Sequence, residues 1–189
     1  MNENELILEK IKLLSTWGYS EDFQALVYIH FTTGCRVSDL LRLTGADFSS
    51  SYHVRIKQGK GSEDLVYKLS DYYHVIDRWR ARKTKVSGTY SRQSLHRIYR
   101  KLGFSISRGE NRNLSVTHYF RVIKARDLVS AFDNKELAGK VLGHKSKKSI
   151  DYYINDFPSR ARIQRGVNNS VSGEIDNLLT NRNGRIFSR

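Results

Sequence analysis

Apolar residues in NELILEKIKLLSTW recur at helical spacing through Leu6, Ile7, Ile11, Leu14 and Trp17, until Gly18 interrupts them, so the spacing predicts a helix over 4–17. Ser20 is placed to cap a second helix. Glu21 and Asp22 favour the dipole of its first turn, and the apolar run FQALVYIHF carries it to Gly34. A shorter helical stretch, VSDLLRL, follows Arg36. Between Tyr52 and Leu69 the period falls to two. HVRIK and DLVYKL alternate on either side of QGKGSE, which predicts a β-hairpin with Lys60 at its turn.

The helical period returns in YYHVIDRW after Asp71 and again in SLHRIYRKLG, where Gly103 is a C-cap candidate; the basic segment RKTKVSGTYSRQ between them is expected to be a surface connection. Residues 105–114, SISRGENRNL, are expected to form a loop. Thr117 is the expected N-cap of a helix through HYFRVIKARDLVSAF, NKELAGKVLG gives another helix ending at Gly143, and SKKSIDYYIN a last one before Pro158 breaks the chain. Beyond it VSGEIDNLL is weakly amphipathic and NRNGRIFSR polar, with no internal repeat or low-complexity tract. The fold class that results is α+β, mostly α-helical with one small antiparallel hairpin.

At 189 residues and 39% hydrophobic content the chain has the size and core of one compact domain with tails. The net charge changes the picture more. Lys and Arg number 33 against 19 Asp and Glu, a balance of +14 that points to a polyanionic partner, nucleic acid first, the alternatives being a basic but inert surface or a binder of acidic membranes. Cys35 is the only cysteine, which excludes an intrachain disulfide and a thiolate metal cluster and fits a reducing cytoplasm. Its expected role is that of a small buried apolar residue. The N-terminus is acidic where a signal peptide would be basic, and no apolar run approaches the roughly 20 residues that span a bilayer, so a soluble intracellular protein is expected. The six histidines are too dispersed to suggest a metal-ligand pair, and no P-loop is present.

Six residues invite a chemical reading, and each has a plain structural alternative. Arg36, in TGCRVSDLL, stands at a helix start where the dipole opposes a cation; either Asp39 compensates it at i+3 or it is held for an anionic ligand. Lys60, between glycines, is by itself an ordinary solubilising turn residue. His118 and Arg121 form an H-x-x-R pair whose i, i+3 spacing puts both on one helix face, commonly a solvated one. His144, after Gly143, can interact with exposed helix-end carbonyls. Tyr152 and Tyr153 are adjacent and in a helix point about 100° apart, so both cannot serve one site.

Taken in order, TGCRVSDLLRL, the GKG hairpin, HYFR, LGHKS and a tyrosine nine residues past His144 resemble the boxes of the tyrosine recombinases, over about residues 20–155. The family pattern is an arginine in a T-G-x-R segment, a hairpin lysine, H-x-x-R, then L-G-H ahead of a nucleophilic tyrosine. Two departures stand out. Asp39 replaces the usual glutamate, keeping the carboxylate on a shorter arm, and the chain starts almost directly at the catalytic domain, without the N-terminal helical clamp of many members. The resemblance thus implies a catalytic domain over 1–160 and a C-terminal tail over 161–189 that packs on a neighbouring subunit, either excised from a longer protein or akin to the short DNA-inversion enzymes.

The resemblance also implies a reaction. Arg36 and Arg121 would hold a phosphodiester by bidentate hydrogen bonds that persist at any working pH, with Asp39 orienting Arg36. Tyr153 would attack, preferred over Tyr152 by the family interval; its unperturbed pKa of about 10 calls for help from a base and a positive field. His118 would assist proton removal, His144 would bond a non-bridging oxygen and Lys60 would protonate the departing 5′-oxygen. Strand resealing then needs neither metal, ATP nor any other cofactor. The implied function is site-specific DNA recombination (integration, excision or inversion) on double-stranded DNA, by a tetramer with accessory DNA-bending proteins, in a prokaryotic, phage or mobile-element setting. Alternatives are a type IB topoisomerase-like enzyme and a non-catalytic DNA-binding regulator that kept the fold.

Overall fold

The computed structural model describes residues 3–58, 64–82, 84–104, 107–108, 112–113 and 116–143. Its centre is the second apolar run. The Ser20 hydroxyl accepts the Phe23 amide at 3.2 Å and starts helix α2, Glu21–Thr33, as expected of a cap. From Phe23 to His30 every residue is buried, the mark of a helix surrounded by protein. Helix α1 (Glu3–Lys12) lies against α2, and its Ile7 and Ile11 face inward. The short α3 (Val37–Leu40) follows the sharp turn at Gly34.

The hairpin forms as the alternation predicts. Strands β1 (His53–Ile56) and β2 (Leu65–Lys68) are antiparallel, with Val54 opposite Tyr67 and Ile56 opposite Leu65. Val54, Ile56, Tyr67 and Leu69 turn to the core while Lys57 and Lys68 stay in solvent. Helix α4 (Tyr73–Arg80) presents the fully buried Trp79, whose indole N–H donates to Asp22 at 2.6 Å and so fixes α4 to the start of α2. Helix α5 (Arg92–Lys101) ends with Gly103 in the left-handed region, and Tyr99, Phe104 and Phe120 build an aromatic cluster that joins α5 and α2 to helix α6 (Tyr119–Phe132). Helix α7 (Lys135–Val141), capped by Asn134, packs on α6 through a smaller core of Ala125, Leu128, Ala138, Val141 and Leu142.

Four local expectations give way. The first helix stops at Lys12 and a 3-10 turn covers Ser15–Trp17, because the Ser15 and Thr16 hydroxyls take the carbonyls of Lys12 and Leu13. Leu6 and Trp17 lie exposed while Ile7, Ile11 and Leu14 form the core. Thr117 is not the cap of α6. It is buried within a 3-10 turn, Val116–His118, and His118 occupies the cap position without a side-chain cap bond.

The expected loop over 105–114 contains two short strands, β3 (Ser107–Arg108) and β4 (Arg112–Asn113), paired antiparallel and too brief for an alternation to show in sequence. Finally, the connection before α5 is not purely surface: Val86 is buried and its amide donates to the Leu43 carbonyl at 2.9 Å. No helix among the described residues is long and apolar enough to cross a membrane. The helix expected over 146–155 and the tail over 161–189 lie outside the described residues.

Candidate active site

Gly34 sets the site's first corner. It closes α2 in the left-handed region, with φ +57° and its amide on the His30 carbonyl at 3.0 Å. A Cβ there would stand 2.7 Å from Cβ of Lys124 and 3.5 Å from Cα of Arg121, so glycine is required both by conformation and by the approach of α6. Two residues on, Arg36 sits in extended backbone at the start of α3, its side chain 44% exposed. The guanidinium lies 3.8 Å from the Asp39 carboxylate and donates to Oε1 of Gln58 at 3.4 Å.

Asp39 itself is buried, and its closer partner is Arg42, at 2.5 Å. The short aspartate therefore anchors chiefly the far end of α3. Arg42 in turn donates to the Lys57 carbonyl at 3.3 Å, joining α3 to the end of β1.

Arg121 is 2% exposed and works from inside. Its Nη1 donates to the Gly34 carbonyl at 3.0 Å and its Nη2 to the Leu142 carbonyl at 2.7 Å. Those carbonyls close α2 and α7, so the buried cation rests at the negative ends of two helix dipoles, where its desolvation is offset. A solvated helix face, the plain alternative for H-x-x-R, is excluded for Arg121 by this burial.

The hairpin holds the same helix end from the other side. The Tyr67 hydroxyl donates to the Val141 carbonyl at 3.1 Å, and the Gln58 side chain lies so close to Gly143 that a Cβ on that glycine would be 1.9 Å from Oε1 and 2.0 Å from Nε2. With φ +67°, Gly143 is doubly constrained to be glycine. The contacts close a ring: Gly34 to Arg121, Arg121 to Leu142, Gly143 against Gln58, and Gln58 to Arg36, two residues from Gly34.

His118 is half-buried at the start of α6. Its ring and Arg121 both act electrostatically on His30, which is fully buried and pushed down to about 3, chiefly by desolvation. His30 is therefore neutral. Its Nε2 donates to the Cys35 carbonyl at 3.2 Å, which leaves Nδ1 to accept from the Tyr99 hydroxyl at 3.0 Å. This fixes the peptide immediately before Arg36. Cys35 is buried as expected, its thiol pushed up to about 11 by burial.

Of the residues singled out in sequence, Arg36, Asp39, His118 and Arg121 fall in the described part of the chain and gather around the ends of α2 and α7 and the start of α6. Lys60, His144 and Tyr153 lie outside the described residues. Three contributors were missed: Gln58, Tyr67 and His30. Gln58 carried a signal, since it continues the inward register of Val54 and Ile56 with a polar side chain. Tyr67 and His30 sit in apolar patterns that give no hint of their polar partners.

No family model matches the sequence, and no curated protein matches it either. Solved structures do resemble the fold. The XerH site-specific recombinase, in a post-cleavage complex with palindromic difH substrate, superimposes with a TM-score of 0.57 at 20% identity over 82% of this chain and 49% of that one. The catalytic domain of bacteriophage HP1 integrase gives 0.56 at 19% identity, over 85% and 89% of the two chains. XerA recombinase gives 0.59 at 18% identity, over 94% and 63%. The chain thus spans about half the length of XerH and most of the HP1 integrase domain, and it has the catalytic-domain fold of the tyrosine recombinases.

Proposed function

We propose that this chain cuts and rejoins DNA through a 3′-phosphotyrosine, as the catalytic part of a site-specific recombinase. The observation that carries the proposal is the grip of Arg121 on the Gly34 and Leu142 carbonyls. In this reading the grip lies among three sequence boxes, since Arg36 is two residues beyond Gly34 in sequence, His118 three before Arg121 and His144 two beyond Leu142. A partly exposed guanidinium two residues past Gly34 and one buried on the Gly34 and Leu142 carbonyls suit a phosphodiester, whose charge grows on the non-bridging oxygens during in-line attack.

In this proposal the Tyr153 oxygen attacks phosphorus as its proton leaves toward His118. The bond to the 5′-oxygen breaks, and Lys60 protonates that oxygen. Arg36, Arg121 and His144 hold the phosphate oxygens. The reverse attack by a 5′-hydroxyl reseals the strand, so no outside energy source enters. The structural neighbours support the class of reaction, XerH by its post-cleavage complex with palindromic difH substrate. The net charge of +14 supports a DNA partner. Tetramer assembly, accessory proteins and the packing of 161–189 on a neighbour extend the same proposal.

The test uses random-sequence duplexes carrying 5′-bridging phosphorothiolates, on which cleavage traps the covalent adduct. Arg36→Ala is expected to lower adduct formation by about 100-fold or more, the scale of removing one oxyanion donor, while retaining DNA binding at low salt. Wild-type levels of adduct in Arg36→Ala would overturn the proposed role.

A further inference from the structure

Gln58 is a polar residue where the strand pattern asks for an apolar one. Val54, Ile56 and Gln58 share the inward register of β1 and its extension, and all three are buried. A buried primary amide is retained at a cost unless its polar atoms have partners. The partners here belong to the candidate site: Oε1 accepts from Arg36 at 3.4 Å, and the amide packs against Gly143 at a distance only glycine permits. Because arginine only donates, the contact also fixes which way round the amide lies.

We infer that Gln58 is a positioning residue for the strand-cleavage chemistry proposed above, on which this inference rests: its buried amide sets the Arg36 guanidinium against the end of α7. The choice of glutamine follows from charge. A leucine would fill the space but offer Arg36 no acceptor. A glutamate would place a second carboxylate near Arg36 besides Asp39, cancelling the positive field meant for a phosphodiester. A neutral acceptor orients the cation and leaves its charge for the ligand. In sequence, Lys60 lies two residues beyond Gln58 and His144 directly follows Gly143.

The experiment follows single-turnover cleavage of the phosphorothiolate duplex pool by wild type, Gln58→Leu and Gln58→Glu, with thermal unfolding of each protein. The rate at saturating DNA should fall by about 10- to 100-fold in both variants, the scale of misplacing a catalytic group by a fraction of an ångström to an ångström. The half-saturating DNA concentration should move little in Gln58→Leu, and the unfolding midpoint of at least one variant should stay near that of wild type. Wild-type rates in both variants would overturn the inference and leave the proposed function standing. Rate losses that only track lost stability, or lost DNA affinity, would overturn it too. If wild type itself forms no Tyr153-dependent adduct, the proposed function fails and this inference with it.

Discussion

A buried arginine and a buried histidine carry most of the site's order, and neither behaves as its residue type does on a surface. Arg121 offers its fork to two helix-end carbonyls, a geometry that one lysine ammonium cannot reproduce. His30 stays neutral because burial holds its folded value near 3, below the ordinary 6.5. The sign follows: the unfolded chain takes up this proton as pH falls below 6.5 and the folded one does not, so stability is present above 6.5 and drains away toward 3. For a group this deeply buried the slope is at most about 1.4 kcal/mol per pH unit. Urea unfolding of wild type against His30→Gln between about pH 6.5 and pH 4.5 checks it. Wild type should lose stability more steeply than the variant, and parallel slopes would show that His30 is not the acid-sensitive group.

Residues of this kind were only partly legible. Arg36 and Arg121 were recognisable from their boxes, whereas His30 and Tyr67 act through hydrogen bonds to carbonyls 5 and 74 residues away, which no local pattern encodes.

At the scale of elements, helix ends do the positioning. The ends of α2 and α7 each finish on a left-handed glycine, and both glycines touch the site. Gly143→Ala combines a left-handed penalty of about 1–2 kcal/mol with a collision against the Gln58 amide, so it should lower stability by at least that much and impair cleavage. Denaturant titration alongside the cleavage assay reads both effects; an alanine tolerated in both would mean that the α7 end is free to move away from the hairpin. Caps and periods were legible where side chain and backbone agree, as at Ser20 and the β1–β2 alternation. They misled where short hydroxyls or burial redirected the backbone, as at Ser15 and Thr117.

For the whole molecule, charge and fold point the same way. A chain of net charge +14 has the catalytic-domain fold of the tyrosine recombinases, at 18–20% identity to XerH, HP1 integrase and XerA, where the likeness is one of architecture. The α+β class was readable because one hairpin interrupts a helical period; how the helices meet was not, since α2, α6 and α7 converge through a buried guanidinium. Covalent trapping on 5′-bridging phosphorothiolate DNA at low salt with a chelator present, comparing wild type, Tyr152→Phe and Tyr153→Phe, decides whether Tyr153 is the nucleophile. A chelator-resistant adduct is expected in wild type and Tyr152→Phe and should disappear in Tyr153→Phe. An adduct that survives Tyr153→Phe, or none with any duplex despite firm DNA binding, would contradict that role for Tyr153.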